Sequence, residues 1–448
     1  MRSIRILVQQ IRLGTPRAIS IPTMGDVVVI GAGGAAWSLC QRLVADGWRG
    51  GRISVLGDET RAPYARAHLV QVLRGGKPEA AALAPVEWYA ANGIDLRLDD
   101  PAVAIDLAHG RVATARGDAI PFAHLVLATG SGPWLPPLAG RDQIGVLALR
   151  TLDDAVALRA AARRAQRAVV LGGGPFGVET AAALNDAGVA VDLVEVAAGL
   201  CLRWLDLACA GLLRAQVKAR GIDVHTGRQA VRVTPAGRSL LVRCADGGDL
   251  ESDLVVIAAG TRPRDELAAA CGLRRGLRGG VVVDAAMRTN DPRVLAIGEC
   301  AVRDGEVHAH PEAVQAMAAT AAATLVGRRA TFAAGSAPRR LLAPGLDALS
   351  VGAVHGSELD RRVAWQGEGA RRVLVVRGAH LVGACGVGTW PEEARVAQAV
   401  SAGATVWPWQ ISQFRRAGNL WPAPPASRAA ARMVSALHGG SSSSAASA

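Results

Sequence analysis

The sequence predicts an α/β protein with two open parallel sheets, followed by a small α+β domain, and three observations carry that prediction. At 448 residues the chain exceeds one ordinary core, so two or three domains are expected. Two segments repeat one plan, Asp26-Val-Val-Val-Ile-Gly31-Ala-Gly33-Gly-Ala-Ala36 and Ala168-Val-Val-Leu-Gly172-Gly-Gly174-Pro-Phe-Gly177. Each is a β-branched run, a glycine cluster, an alanine-rich helical run and a second apolar run ending in an acid. From about residue 337 the pattern changes to short strands, Val373 to Val376 and Leu381 to Cys385, then a helix from Glu392 to Val400.

Between the repeats lie strand candidates at Ala104 to Asp106, Arg111 to Ala115 and Leu125 to Ala128. The loop Gly130-Ser-Gly-Pro-Trp-Leu-Pro-Pro137 follows them, and its Pro and Gly density marks a crossing between domains. After the second repeat come Leu254 to Ala258, Val281 to Val283 and Val294 to Ile297, expected to return to the first sheet, and a helix from about Pro311 to Val326. The expected domains are 24–148 with 263–330, then 149–262, then 337–425. Residues 1–23 read as an extension, with Met24 a candidate true start and no secretory pattern before it. The Gly/Ser/Ala-rich 426–448 tail cannot build a core and is expected to be disordered.

Composition excludes several classes. Half the residues are hydrophobic and a fifth charged, yet no run approaches the ~18 apolar residues of a membrane span. The chain is therefore expected to be soluble and cytoplasmic, as a monomer or homodimer. The net charge of +12 comes from scattered arginines, Lys77 and Lys218 being the lysines, with no basic stripe interleaved with aromatics. Nucleic acid is thus not an expected partner, whereas docking of an acidic protein is compatible with the charge. The seven cysteines are dispersed without a C-x-x-C pair, so they read as reduced thiols, most of them packing as small apolar groups. His308-Ala-His310 has no nearby third ligand, and no metal is expected.

The first glycine cluster follows a strand and opens a helix, the context in which it binds a dinucleotide. Gly31 allows the tight turn, Gly33 lets backbone approach a pyrophosphate, and Ala36 is small enough for helix–strand packing. The acid for the adenosine ribose ends the next strand, Ile53-Ser-Val-Leu-Gly57-Asp58-Glu59, where Asp58 and Glu59 are both candidates. In the second cluster Gly172, Gly174 and Gly177 are in G-x-G-x-x-G register, and Glu195 closes Val191-Asp-Leu-Val-Glu195. A carboxylate there suits free ribose hydroxyls and repels a 2′-phosphate, so NADH is favoured over NADPH. Two such sites call for two dinucleotides.

These motifs resemble the two-dinucleotide flavoprotein reductases, above all the N-terminal flavoprotein part of the assimilatory nitrite reductase large subunit, and also ferredoxin and rubredoxin reductases. The resemblance implies a glutathione-reductase-like pair of Rossmann-like domains, one for FAD and one for NAD. Ala62-Pro-Tyr-Ala-Arg66 resembles the segment beside the flavin, and Leu125-Val-Leu-Ala128-Thr129-Gly130 resembles the Ala-Thr-Gly strand. Thr289-Asn-Asp-Pro-Arg-Val-Leu-Ala-Ile-Gly298-Glu299-Cys300 resembles the second flavin motif, whose acid bonds the ribityl chain; Glu followed by Cys resembles the nitrite-reductase branch. Arg150 to Arg159 resembles the linker before the NADH domain.

The resemblance implies hydride transfer from NADH to FAD, with Glu179 near the nicotinamide and Phe176 gating its stacking; a plain helix-dipole role for Glu179 stays open. Gly260 is counted among the cofactor-binding positions. A helix starting at Pro311 would point its N-terminus at the flavin. No cysteine lies between Tyr64 and Gly75, so dithiol chemistry at the flavin is not expected. The lysine that many ferredoxin reductases carry there is absent, and His68 is a candidate partial substitute. The iron-sulfur and sirohaem regions of nitrite reductase are not in the sequence, so nitrite reduction by the chain alone is not expected. Trp407, Trp409 and Trp421 are either a docking surface or core, the core being preferred. Three functions remain: a reductase feeding a separate electron-acceptor protein, an enzyme reducing oxygen or another small molecule directly, and a flavin-bound sensor with little turnover.

Overall fold

The computed structural model describes residues 25–335 and 337–422; the expectations for the 1–23 extension, for Met24 and for the 426–448 tail lie outside them. Contacts divide these residues into two compact units. The first holds the described residues up to Gly172, with Thr180–Val194 and Arg228–Gly335; the second holds Gly173–Glu179, Glu195–Gly227 and the described residues from 337 on.

In the first unit, five parallel strands run in the order Val294–Ala296, His124–Leu127, Val27–Ile30, Ile53–Leu56 and Ile94–Arg97. The central strand is buried at all positions, which is why it reads as continuous β-branched residues rather than alternating ones. Helix Gly34–Ala45 buries Ala36, Leu39, Cys40 and Leu43, the spacing of a single helical stripe. It packs against helix Pro311–Leu325, whose contact face is alanine-rich and so permits close approach. Strands Ala102–Asp106, Arg111–Thr114 and Ala119–Pro121 form an antiparallel layer.

A second parallel sheet in the same unit has Arg167–Leu171 between Ala190–Glu195 and Leu254–Ile257, with Val146–Ala148 beyond the latter. Two expectations are corrected here. Leu254–Ile257 joins this second sheet, and Val281–Val282 pairs with Ala301–Val302, so among the three later runs Val294–Ala296 alone returns to the first sheet. An apolar run announces burial but not its neighbour. Residues up to 148 are expected in the first domain, yet the strand Val146–Ala148 lies in the second sheet. The Pro/Gly loop contains strand Ser131–Pro133, paired antiparallel with Thr261–Pro263.

In the second unit, five antiparallel strands are ordered Arg339–Arg340, Ala348–Gly352, His380–Val387, Ala370–Arg377 and Arg361–Gly367. Helices Glu393–Ser401 and Pro408–Ala417 cover one face through Val396, Val400, Ile411 and Phe414. Helix Leu207–Ala219 packs against the strands His380–Val387 and Ala370–Arg377. Arg372 is buried, its guanidinium 4.6 Å from the Trp365 ring centroid and 5.6 Å from that of Trp390, and it donates to the carbonyls of Gly418 and Thr389.

The preference for core tryptophans is corrected in part. Trp407 and Trp409 are 58% and 54% exposed, because the buried stripe of their helix is Gln410, Ile411 and Phe414. Trp421 is half-buried against the core, with Arg395 4.1 Å from its ring centroid. Phe414 is fully buried with Trp390 beside it. Phe414→Ala is expected to cost about 3–5 kcal/mol, read as a lower urea midpoint and faster proteolysis of the C-terminal layer; an unchanged midpoint would contradict this packing.

Candidate functional site

The first site is built where the strand Val27–Ile30 stops. Gly31 donates its N–H to Leu56 O at 2.7 Å and has φ +107°. A Cβ there would lie 2.2 Å from Ala128 O, so the close approach of two strand ends admits glycine alone. Gly33 caps helix Gly34–Ala45 with no side-chain cap and no acid in the first turn, and a Cβ on it would meet nothing within 4 Å. The helix thus presents backbone amides on an open face, which suits an anion. Ala36 is buried.

The neighbouring strand ends supply polar groups. A Cβ at Gly57 would fall 2.8 Å from the Ala32 methyl, so Asp58 and Glu59 start beside the glycine turn. The structure separates these two acids. Glu59 accepts from the Tyr64 hydroxyl at 2.6 Å and from Arg66 at 3.0 Å, and Arg66 also donates to Arg150 O at 2.5 Å. Burial, reinforced by the hydrogen bond to Glu59, pushes the Tyr64 hydroxyl's pKa up, so it stays a donor. Asp58 is 45% exposed and pairs with Arg264 at 2.6 Å. Ala128 is buried, Thr129 donates its hydroxyl to Arg264 O at 2.7 Å, and Gly130 turns with φ +66°.

Glu299 sits in the short turn Gly298–Cys300, where Gly298 has φ +77° and a Cβ on it would lie 2.9 Å from the Ala35 methyl. The Glu299 carboxylate accepts from Ser131 and, at 2.7 Å, from Arg150, whose Nη2 is 2.8 Å from the same serine hydroxyl. Burial draws the Arg150 pKa down and Glu299 opposes that shift. Pro311 begins its helix after His310, which makes no side-chain cap. His68 carries a buried Nδ1 with no hydrogen-bond partner among the described residues.

Sequence reasoning left Ser131, Arg150 and Arg264 without roles. The signal for Arg150 was its place between the buried Leu149 and the capping box of Thr151 and Asp154. Nothing local marks Arg264, whose partner Asp58 is far away in the chain.

The second glycine turn repeats the first. Gly172 donates to Val194 O at 2.8 Å with φ +120°, and a Cβ would lie 2.4 Å from Ala258 O. Gly260 has φ +107°. In the other unit, Glu195 accepts from the amides of Gly173 and, at 2.7 Å, Ala197. A Cβ at Gly173 would fall 2.8 Å from the Glu195 Cβ, whereas one at Gly174 would meet nothing within 4 Å. Phe176 is half-buried and Gly177 buried. Glu179 is 7% exposed and its carboxylate accepts from the Leu342 amide at 2.7 Å. Burial, with Glu179 and Glu195 nearby, pushes the Cys201 thiol up to about 12, so it is an inert thiol.

Residues 25–324 match the family model described as pyridine nucleotide-disulphide oxidoreductase. The chain is 37% identical over 305 residues to the nitrite reductase [NAD(P)H] large subunit of Klebsiella oxytoca, covering 68% of this chain and 32% of that protein. It spans about a third of the length of the nitrite reductase subunits it matches. It is 35% identical over 276 residues to the ferredoxin–NAD(+) reductase component of the biphenyl dioxygenase system of Paraburkholderia xenovorans, covering 61% of this chain and 67% of that one. The ferredoxin reductase for the CYP199A2 system from Rhodopseudomonas palustris superposes with a TM-score of 0.80 at 27% identity, covering 87% of this chain and all of that one. With its duplicated glycine turns and a family match across both parallel sheets, the chain belongs to the pyridine nucleotide-disulphide oxidoreductase family.

Proposed function

We propose that this protein is an NADH-dependent flavoprotein reductase that passes electrons from NADH through FAD to a separate acceptor protein of the ferredoxin, rubredoxin or nitrite-reductase type. The observation that carries the reading is the recurrence of one backbone constraint, at Gly31 and at Gly172, each followed two residues on by a glycine, Gly33 or Gly174, at which a Cβ would meet nothing within 4 Å. Residues 24–148 and 263–330 are read as the FAD-binding part and 149–262 as the NADH-binding part. FAD, when bound, would supply the redox chemistry that links hydride from NADH to electron delivery.

The chain's own residues bind and orient. The amides after Gly33 meet the FAD pyrophosphate, and Asp58 is assigned to the adenosine ribose because Tyr64 and Arg66 already hold Glu59. Glu299, fixed by Arg150 and Ser131, would hold the ribityl chain. The helix that begins at Pro311 would offer its positive end to the flavin ring, and the unpartnered Nδ1 of His68 would be a polar group available to it. Gly172, Gly174, Phe176, Gly177 and Gly260 are assigned to NADH. Glu195 excludes a 2′-phosphate by like charge. Because Glu179 is tied to the Leu342 amide, its proposed nicotinamide contact requires that carboxylate to serve two donors. No helix among the described residues is long and apolar enough to cross a membrane, and the reading places the protein in the cytoplasm.

Gly33→Val is expected to leave the fold intact, since its Cβ enters open space, yet to weaken FAD retention at least about tenfold, or ~1.4 kcal/mol. Flavin absorbance after gel filtration measures it, and full retention would refute the pyrophosphate assignment. Glu195→Ala is expected to raise the NADPH-to-NADH ratio of kcat/KM about 100-fold, ~2.7 kcal/mol; an unchanged ratio removes Glu195 from cofactor selection. Stopped-flow reduction by NADH followed by mixing with ferredoxin, rubredoxin or oxygen tests the overall reading. Fast reoxidation by oxygen alone would favour direct small-molecule reduction, and negligible reduction by NADH a sensor.

A further inference from the structure

Cysteine spacing along the chain pairs nothing, but the fold brings two thiols together inside the second unit. Cys209 is in the first turn of helix Leu207–Ala219, which Asp206 caps by accepting from the Cys209 amide at 2.8 Å. Cys385 lies on strand His380–Val387, directly opposite Val373. Leu374 and Ala384 belong to the core under the two C-terminal helices, so Val373 and Cys385, one residue along each strand, point to the other face. Helix Leu207–Ala219 packs against these strands. The two sulfurs and a carboxylate oxygen of Asp206 lie within 4.8 Å of one another, and both cysteines are fully buried.

The two thiols are electrostatically unlike. Hydrogen bonding by the Cys209 thiol pulls the Cys385 thiol down against its burial; the Asp206 backbone amide adds to the effect and the Asp206 carboxylate opposes it. Cys209, as the donor, is pushed up. Two thiols in contact are the arrangement of an attacking and a resolving cysteine. A structural zinc ion takes four ligands, and this cluster offers three. One Asp206 oxygen is already engaged as the helix cap, and Arg362 adds positive charge near Cys385.

We propose that Cys209 and Cys385 are an oxidation site at which hydrogen peroxide forms a disulfide between helix Leu207–Ala219 and strand His380–Val387. Cys385 gives up its thiol proton and its sulfur attacks one peroxide oxygen; the O–O bond breaks, a sulfenic acid forms, and the departing hydroxide takes that proton to become water. The Cys209 sulfur then attacks the Cys385 sulfur, its proton leaves with the hydroxyl as water, and the S–S bond forms. In total two thiols and one peroxide give one disulfide and two waters; the sulfurs lose two electrons, which the O–O bond accepts. The bond closes a long loop and locks the helix onto the sheet. A dithiol reductant reverses it.

The test uses the purified full-length protein. After peroxide treatment, free thiols are alkylated in denaturant and the digest is read by mass spectrometry. The expected species is a linked peptide pair carrying Cys209 and Cys385, two hydrogens lighter than the reduced peptides together and abolished by dithiothreitol. Peroxide should also raise the Tm of the wild type by several degrees, with no rise in Cys385→Ser. Because a hydroxyl at 385 would be buried, Cys209→Ala serves as the second variant, with the same expected loss. Recovery of both peptides alkylated after peroxide, or linkage of either cysteine to a different one, overturns the proposal. So does stoichiometric zinc in the purified protein whose removal by a chelator first exposes Cys209 and Cys385 to alkylation, since the cluster would then be a metal site.

Discussion

Backbone clearance at two glycines is the constraint on which the rest depends. At Gly31 and Gly172 the chain leaves a central parallel strand so close to the carbonyl of the next strand's end, Ala128 or Ala258, that a single carbon would overlap it. Both turns take positive φ, and in the first unit the following helix lies back on the core of the sheet with its amides forward. In the first unit this aims the helix end at the strand ends that carry Asp58, Thr129 and Gly130, at the carboxyl edge where such sheets bind ligands.

Charge does the second part of the positioning. Glu299 reaches its place through the turn after Val294–Ala296, and Arg150 through the linker after Val146–Ala148; they meet over Ser131. A half-buried pair of this kind gains little net stability after desolvation, but an unpaired member would be costly, so it specifies geometry more than it adds energy. The same guanidinium donates to the Ser131 carbonyl, and the Thr151 capping box starts the next helix immediately after it. The segment from Arg150 to Thr151 is thereby registered against Ser131 and Glu299.

The structure also shows how near neighbours in sequence diverge in role. Asp58 and Glu59 are adjacent acids, yet Glu59 is consumed by Tyr64 and Arg66 while Asp58 stays near the surface. Trp407 and Trp409 flank one helix start and face outward, whereas Trp390 sits in the core with Phe414. Cys209 and Cys385 are distant in sequence and meet because a helix from one segment lies on a strand from another.

What the sequence determined by itself was local. The β-branched run, the glycine spacing and the small residue at 36 or 177 dictate strand, turn and helix within a dozen residues, so the strand–turn–helix units at Gly31 and Gly172 and the Pro311 helix start were legible. Tertiary structure decided which strand each apolar run joins, as with Leu254–Ile257 and Val146–Ala148, because burial on both faces erases the pattern that would name a neighbour. It also decided the partners of charges and thiols, Arg150 with Glu299, Arg264 with Asp58 and Cys209 with Cys385, since such pairs form across chain separations that carry no local signal.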